Sequence, residues 1–320
     1  MENGSDAIRK VCVFGVGGVG GYFGAKIADR MNRGDDPEFK TFFIARGEHL
    51  NAVKRNGIRL ITPQKEIVGV PTSASDNILE IPTPDLILLC VKGYDLDNAV
   101  RAIQSKSDEH TLIVPLLNGA DIYERIKAIL KKGIVLPACV FVGTHIEQPG
   151  VIKQTGGDGT ILIGKDPELP RFSPEKITSF FNWAGINFNW QEDPFKGIWG
   201  KYLFIAPFGL VTAYTGKTIG EILENEELQE LVRKIMLEVK ALAERKGIEL
   251  SAHIVEESMD KARAFPFETK TSYQRDIESK GNLNEGDLFG GTIIRMGELL
   301  GISTPVTKSV YSAIEKRLSG

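Results

Sequence analysis

Lys201 is the one charged residue in an apolar stretch that runs from residue 197 to residue 216. A segment that is apolar nearly all round predicts a buried helix. A lysine is costly to bury unless it is paired, and burial lowers its pKa toward the range where an amine is an effective general acid or base. The alternative is a lysine whose stem is buried while its ammonium reaches water from the first helical turn. Spacing alone leaves both interpretations open.

Glu285 is the second candidate for chemistry in this half of the chain. It precedes a helical pattern that carries Leu288 and Ile293. The carboxylate could pair with Lys201 or accept a hydrogen bond from a substrate. It could also be a first-turn acidic residue of the kind that the helix dipole favours.

A glycine-rich turn near the amino terminus predicts a different kind of site. Gly15, Gly17 and Gly20 fill the pattern G-x-G-x-x-G between an apolar strand-like run and a helical pattern. The first glycine allows a sharp turn, the second lets a pyrophosphate approach the backbone, and the third lets the helix pack on the strand. The N–H groups and positive end of that helix face the phosphates. We therefore predict a dinucleotide-binding turn made of Gly15, Val16, Gly17, Gly18, Val19 and Gly20. The alternative is a tight turn in another α/β domain.

Arg46 occupies the position that distinguishes NAD from NADP in this type of fold. It follows the second predicted strand, Thr41–Ala45. An acidic residue there would bind the ribose 2′-hydroxyl of NAD, whereas an arginine accepts the 2′-phosphate of NADP. Glu48 lies beyond Arg46, and the other nearby acidic residues precede the strand. The pattern favours NADP(H), and the alternative is a solvated arginine at a strand end.

Lys92 and Asn118 each follow a near-continuous apolar run, Asp85–Val91 and Thr111–Leu117 respectively. Such runs are typical of buried parallel strands. Open α/β sheets bind ligands at the carboxyl ends of their strands, so both residues are candidates for a site. Each could also be an ordinary loop residue.

The elements that carry these residues change character along the chain. Strands and helices alternate as far as residue 133, and short strands separated by turns at 148–150 and 156–159 then suggest an antiparallel extension. After Asp193 the patterns are helical, most clearly over Glu227–Lys246, where apolar residues recur at helical spacing.

We therefore predict an α/β fold in two domains. Residues 1–193 form a Rossmann-type dinucleotide-binding domain with an antiparallel extension, and residues 194–320 form an all-helical domain for substrate binding and catalysis.

Composition excludes several classes of function. The chain has 320 residues, 42% of them hydrophobic and 25% charged, with a net charge of −3. This balance gives no electrostatic basis for binding nucleic acid or an anionic membrane, and no run has the ~18 apolar residues of a transmembrane helix. The polar first ten residues lack a signal-peptide core. Three cysteines in apolar runs and four scattered histidines predict free thiols, no metal site and a cytoplasmic protein.

The order of these motifs resembles the ketopantoate reductase (2-dehydropantoate 2-reductase) family over nearly the whole chain. The matching segments are Gly15–Gly20, Ile44–Gly47, Cys90–Lys92, Leu117–Gly119, Trp199–Lys201, Thr271–Gln274 with Asp276 and Glu285, and Gly301–Thr307.

The resemblance implies reduction of ketopantoate to pantoate, a step of pantothenate and coenzyme A biosynthesis. It implies that Lys201 protonates the developing alkoxide while hydride reaches the keto carbon, and that Glu285 hydrogen-bonds the substrate or this lysine. Ser272 would hold the substrate carboxylate, and Lys92 and Asn118 would position substrate and cofactor.

The resemblance also implies NADPH as the cofactor, with the 2′-phosphate on Arg46. Further cofactor contacts would come from Lys92, Asn118 and Glu285.

The chain departs from the family pattern at Ile205, Gly209 and Ile219, and the spacing from Asp276 to Glu285 is one residue longer than the pattern. The family usually has an asparagine one turn after the lysine and another one turn later, and here these positions hold Ile205 and Gly209. The loss of two amides predicts a more apolar pocket and favours a different 2-keto acid.

Other functions stay open at this point. A non-catalytic NADP-binding regulator would keep the same fold. A polyol-phosphate or sugar-phosphate dehydrogenase would need a pair of basic residues, which Lys201 with Lys217 or Arg263 with Lys270 could supply. A homodimer is compatible with the two-domain plan, although no dimer face is identified.

Overall fold

The structure is a computed structural model that describes residues 7–34, 36–279 and 284–319. The chain divides into two units. One unit runs up to Leu117 and resumes over Ile122–Pro194, and the other contains Asn118–Asp121 and the chain from Phe195 onward.

The first unit contains the strands and five helices of the described chain. The strands are β1 Lys10–Phe14, β2 Lys40–Ile44, β3 Ile58–Ile61, β4 Glu66–Gly69, β5 Ser73–Ser75, β6 Leu86–Leu89, β7 Leu112–Pro115, β8 Ile134–Val135, β9 Ala138–Gln148, β10 Val151–Gly164 and β11 Phe188–Gln191. The helices are α1 Gly18–Asn32, α2 Gly47–Asn56, α3 Leu96–Gln104, α4 Ile122–Ile129 and α5 Glu175–Ala184.

The main sheet is parallel, with the strand order β5-β2-β1-β6-β7-β8. Phe14 at the end of β1 lies opposite both Ile44 of β2 and Leu89 of β6, so these three strands end at the same edge. All four residues of β6 are 0% exposed, as the continuous apolar run predicted. The order reverses between β1 and β6, which is where such sheets bind ligands. The predicted Rossmann-type fold is confirmed.

A second sheet has the order β11-β10-β3-β4, and β9 pairs with β10. The pairs β9–β10 and β3–β4 are antiparallel, as expected of the predicted antiparallel extension, whereas β10 pairs parallel with both β3 and β11. The sequence suggested a turn at 156–159, but β10 continues through it. Gly157 and Gly159 have φ of 66° and 78°, and the pairing register shifts beside them. The glycines therefore form an irregularity within one strand and not a turn between two strands.

The second unit is helical, as predicted. Its helices in the described chain are α6 Phe195–Thr215, α7 Ile219–Leu223, α8 Glu226–Arg245, α9 Ile254–Arg263, α10 Ser272–Glu278, α11 Thr292–Leu300 and α12 Pro305–Ser319. A π-helical segment, Asp287–Gly291, leads directly into α11 and is called the π turn below.

The core of this unit forms around α6, which the sequence predicted to be a buried helix. Trp199, Leu203 and Leu210 of this helix are 0% exposed. The predicted apolar stripe of α8 packs in the same core, with Val232, Ile235, Val239 and Leu242 all at 0% exposure. No helix within the described ranges is both long and apolar enough to cross a membrane.

A buried carboxylate joins two helices of the second unit. Glu238 of α8 accepts hydrogen bonds from the backbone N–H groups of Val306 and Thr307, at 2.8 and 2.9 Å, and from the Thr307 hydroxyl at 2.6 Å. These N–H groups belong to the first turn of α12 and have no partner within their own helix. Glu238 therefore caps α12 and fixes it against α8.

Candidate functional site

The glycine-rich turn has the shape that its pattern predicted. Gly15 has φ of 93°, and a Cβ atom there would lie 2.9 Å from the backbone carbon of Cys90. The N–H groups of Gly15 and Val16 both donate to the carbonyl of Ile44, at 3.0 and 3.1 Å. A left-handed φ together with this close approach requires glycine where β1 ends.

The two other glycines of the pattern have opposite surroundings. A Cβ atom on Gly20 would lie 2.2 Å from the carbonyl oxygen of Gly15, so only glycine lets α1 pack on the turn. At Gly17, by contrast, no atom of the described residues lies within 4 Å of the added Cβ position, apart from Gly17 and its two chain neighbours. This open space faces the first turn of α1, whose N–H groups have no intrahelical partner and whose end carries a partial positive charge. The residues present fit the pyrophosphate of a dinucleotide.

The sequence did not predict that β9 lies against the start of α1. A Cβ atom on Gly18 would lie 2.8 Å from the carbonyl oxygen of Thr144. A glycine outside the three positions of the pattern is therefore also required for packing, and no local signal identifies its neighbour.

Arg46 is the residue before α2 and follows β2, as predicted. Its guanidinium lies 3.4 Å from a carboxylate oxygen of Asp95, in the 3₁₀ turn Gly93–Asp95 that follows β6. The arginine side chain is 71% exposed, and an exposed ion pair contributes little stability. The guanidinium can therefore exchange this carboxylate for a phosphate group of higher charge.

Lys92 lies at the carboxyl end of β6, as expected. It is exposed and caps the 3₁₀ turn, with its carbonyl accepting a hydrogen bond from the Asp95 N–H at 2.9 Å. Lys92 and Arg46 thus both approach the turn that contains Asp95, on the ligand-binding edge of the sheet.

Lys201 and Asn118 are brought together by the structure. The lysine Nζ donates a hydrogen bond to the Asn118 Oδ1, at 2.8 Å. Lys201 is half-buried, while its neighbour Trp199 is fully buried. An amide oxygen holds the ammonium in one direction and leaves its charge intact, since the acceptor is neutral. The arrangement suits a lysine that gives up a proton to a ligand.

The segment that carries Asn118 packs within the helical unit. Ala120 is 2% exposed in the core of that unit. An oxygen of the Asp121 carboxylate accepts a hydrogen bond from the Thr292 hydroxyl of α11, at 3.2 Å. The sequence predicted that Asn118 ends a strand but gave no signal for this packing, because the partners are about 170 residues apart.

Glu285 is 5% exposed, and the π turn follows it. The sequence predicted an ordinary helix start here, and residues 281–283 lie outside the described residues. A Cβ atom on Gly290 would lie 2.5 Å from the ring of Tyr311, so this glycine lets the π turn pack against α12. The pair Gly290–Gly291 was the available sign of an irregular helix.

Ser272 is the first residue of α10 and is half-buried. The preceding residue, Thr271, caps this helix through a 3.2 Å bond from the Gln274 N–H, and its hydroxyl lies 2.7 Å from that of Thr212 on α6. Two hydroxyls therefore fix the start of α10, and with it Ser272, against the helix that carries Lys201.

Ile205 and Gly209 follow Lys201 at one and two turns along α6. Ile205 is half-buried and packs on the helical core, and Gly209 is buried. A Cβ atom on Gly209 would make ordinary contacts, 3.8 Å from Tyr273 and 3.9 Å from Phe289. This face of α6 therefore presents apolar groups beyond the lysine.

Three of the basic residues that a phosphorylated substrate would need form exposed ion pairs. These pairs are Lys217–Glu221, Arg263–Asp260 and Lys270–Glu278.

Comparison with known proteins gives consistent matches over both units. Residues 11–168 match the family model described as ketopantoate reductase PanE/ApbA, and residues 195–317 match the model of its C-terminal domain. The chain is 26% identical to a 2-dehydropantoate 2-reductase of Mesorhizobium japonicum, over 96% of this chain and 97% of the relative.

Solved structures have the same fold. The 2-dehydropantoate 2-reductase of Porphyromonas gingivalis is 31% identical, with a TM-score of 0.79 over 96% of this chain and 98% of that one. A D-mandelate dehydrogenase in complex with NADH and anilino(oxo)acetate is 19% identical, with a TM-score of 0.85 over 97% and 98% of the two chains. At that identity the second likeness concerns the fold alone.

The open space at Gly17 yields a test of the dinucleotide turn. Gly17→Ala should weaken NADPH binding at least about tenfold, or about 1.4 kcal/mol, because the added methyl occupies the space of the pyrophosphate. Stability should fall only slightly, because the methyl has open space among the described residues, although alanine is a poorer N-cap of α1 than glycine. Fluorescence titration with NADPH and the urea midpoint measure the two effects.

Gly34→Ala, in the exposed loop after α1, is the matched control and should bind NADPH like the wild type. Unchanged NADPH affinity in Gly17→Ala would show that the turn does not hold the cofactor.

Proposed function

The chain belongs to the ketopantoate reductase family of oxidoreductases that act on CH–OH groups, and we propose that it reduces a 2-keto acid to the 2-hydroxy acid with NADPH. Its first candidate substrate is ketopantoate, the substrate named for its relatives. This proposal rests chiefly on the 2.8 Å hydrogen bond that Lys201, on a buried helix, donates to Asn118. The bond orients the lysine as a proton donor.

A nicotinamide cofactor, when bound, would supply a hydride, with its electron pair, to the keto carbon. Lys201 gives a proton to the carbonyl oxygen as negative charge develops there, so that one hydride and one proton complete the alcohol. Asn118 accepts one N–H bond of the ammonium and thereby directs the other N–H bonds of Lys201. A positioned acid of this kind contributes typically ~10²–10⁴-fold to the rate.

The remaining residues bind the substrate. Glu285 is a buried carboxylate that can accept a hydrogen bond from the substrate hydroxyl. Ser272 offers its hydroxyl to the substrate carboxylate, and Lys92 offers a positive charge to the substrate or cofactor.

The first unit holds the cofactor. The first-turn N–H groups of α1 would hold the pyrophosphate in the space at Gly17, and Arg46, whose exposed guanidinium now pairs with Asp95, would hold the 2′-phosphate. The second contact distinguishes NADPH from NADH, because only NADPH carries this phosphate.

Removing the proton donor tests the proposed reaction. Lys201→Ala should lower kcat/KM for the keto acid by about 10²–10⁴-fold and leave the Kd for NADPH unchanged. The assay follows NADPH oxidation by absorbance.

Lys196→Ala, at an exposed position of the same helix, is the matched control and should retain wild-type activity. Full activity in Lys201→Ala would contradict the assigned role, and NADPH binding by the wild type without turnover would favour the non-catalytic regulator.

The cofactor preference has its own test. Arg46→Ala should raise the KM for NADPH about tenfold or more, the loss of one charge-assisted phosphate contact, with little change in the KM for NADH. Arg55→Ala, an exposed arginine of the same unit, should change neither value. A wild type that uses NADH as well as NADPH would overturn the preference.

A second candidate substrate is a 2-keto acid with an apolar side chain. The half-buried Ile205 and the buried Gly209 favour it, because neither can bond a substrate hydroxyl. A hydroxyl bound without a partner in such a pocket is destabilised by about 1–3 kcal/mol.

Two substrates that differ by one hydroxyl separate these candidates. The apolar candidate predicts that the wild type prefers 3,3-dimethyl-2-oxobutanoate to ketopantoate, and that Ile205→Asn shifts the ratio of kcat/KM toward ketopantoate by about tenfold or more. Ile205→Leu keeps the pocket apolar and should preserve the wild-type ratio. If the wild type prefers ketopantoate, the apolar candidate is wrong and ketopantoate remains the first candidate substrate.

A further inference from the structure

Tyr202, the residue next to Lys201 on α6, makes a polar contact deep inside the helical unit. The tyrosine is 1% exposed. Its hydroxyl lies 2.9 Å from the carbonyl oxygen of Leu288 and 2.9 Å from that of Phe289, and it donates its one hydrogen between them. A phenylalanine would fill nearly the same volume, so what the tyrosine hydroxyl adds at this position is these two hydrogen bonds.

Both acceptors belong to the π turn. A π turn has one residue more per turn than an α-helix, which changes the direction of its carbonyl groups, and such turns are frequent at functional sites. The Tyr202 hydroxyl bonds the carbonyls of Leu288 and Phe289 at this place.

The same two residues of the π turn also hold Glu285. The N–H groups of Leu288 and Phe289 donate to the Glu285 carbonyl, at 3.0 and 3.3 Å. Leu288 and Phe289 therefore bind Glu285 through their N–H groups and Tyr202 through their carbonyls. A short chain of hydrogen bonds thus joins the backbone of Glu285 to the residue beside Lys201.

The phenol keeps its proton at any working pH. Burial raises the pKa of Tyr202 well above its ordinary value, and the charge of Asp121 adds to this rise. Among the other charged groups that face it, Asp287 raises the pKa and Arg295 lowers it. Tyr202 is therefore a hydrogen-bond donor and not an acid or base of the reaction.

We propose that Tyr202 is a positioning residue: its hydroxyl holds the π turn against α6 and so sets the place of Glu285 relative to Lys201. This inference rests on the proposed function of those two residues. Loss of the hydroxyl would remove the hydrogen bonds that tie these two buried carbonyls to α6, so the π turn would no longer be held in one place against that helix. A shift of 1 Å in a catalytic group costs on the order of 10²-fold in rate.

The test is Tyr202→Phe, which keeps the ring and its edge contact with Trp199. We expect kcat to fall about tenfold to hundredfold, and the Kd for NADPH to change by less than kcat because the glycine turn lies in the other unit. The matched control is Tyr273→Phe. Tyr273 is 0% exposed, packs on Phe289 with ring centroids 5.6 Å apart, and its hydroxyl has no hydrogen-bond partner in the described chain. Its kcat should stay at the wild-type value.

A purely structural role predicts a different result. In that case Tyr202→Phe would lower the urea midpoint but leave kcat of the folded enzyme unchanged, and the proposal would be wrong. If Tyr202→Phe does not fold, 4-aminophenylalanine and 4-methylphenylalanine at position 202 replace it, since they match in size and only the amine donates. A higher kcat with the amine supports positioning, and equal kcat values overturn it.

Lys201→Ala in the same assay separates the two proposals. Loss of activity in Lys201→Ala with full activity in Tyr202→Phe would reject only the positioning role. A wild type without turnover of any 2-keto acid would reject both.

Discussion

The helical half of this protein places an ammonium group on an apolar helix, which costs free energy unless the group has a polar partner. Lys201 lies on a helix whose other residues from 197 to 216 are uncharged, so its charge needs a polar partner inside the unit. Asn118 provides that partner at 2.8 Å, although it leaves the end of a strand about 80 residues earlier. The packing of Ala120 and the bond from Thr292 to Asp121 then hold this segment in the helical unit. The polar contacts around the lysine are thus built from distant parts of the chain.

In the cofactor half the site residues lie close together in sequence, so more of this site could be predicted from the sequence. The strand, the glycines and the helix are consecutive, so the spacing of Gly15, Gly17 and Gly20 is enough to assign them to a turn, an open space and a close contact. Arg46 was equally predictable, because its place depends only on the end of β2. The partner Asp95 was not, since that ion pair depends on strand order.

In the helical half the sequence predicted elements and not contacts. The helix around Lys201 was predicted from its unbroken apolar run and the stripe of α8 from its periodicity, and both are confirmed as buried helices. The π turn after Glu285 has no periodic signal, because a single inserted residue cannot be distinguished from a loop without knowing what packs against Gly290. The bonds from Tyr202 to that turn join residues 86 and 87 positions apart, and no local rule predicts them.

The most direct test of the central claim follows the hydride itself. Wild-type enzyme is incubated with NADPH deuterated at C4 of the nicotinamide and with ketopantoate or 3,3-dimethyl-2-oxobutanoate, and the product is analysed by mass spectrometry. If hydride passes from C4 of the nicotinamide to the keto carbon, the product is a 2-hydroxy acid that carries one deuterium on C2. NADPH binding with no deuterated hydroxy acid from any 2-keto acid tested would contradict it.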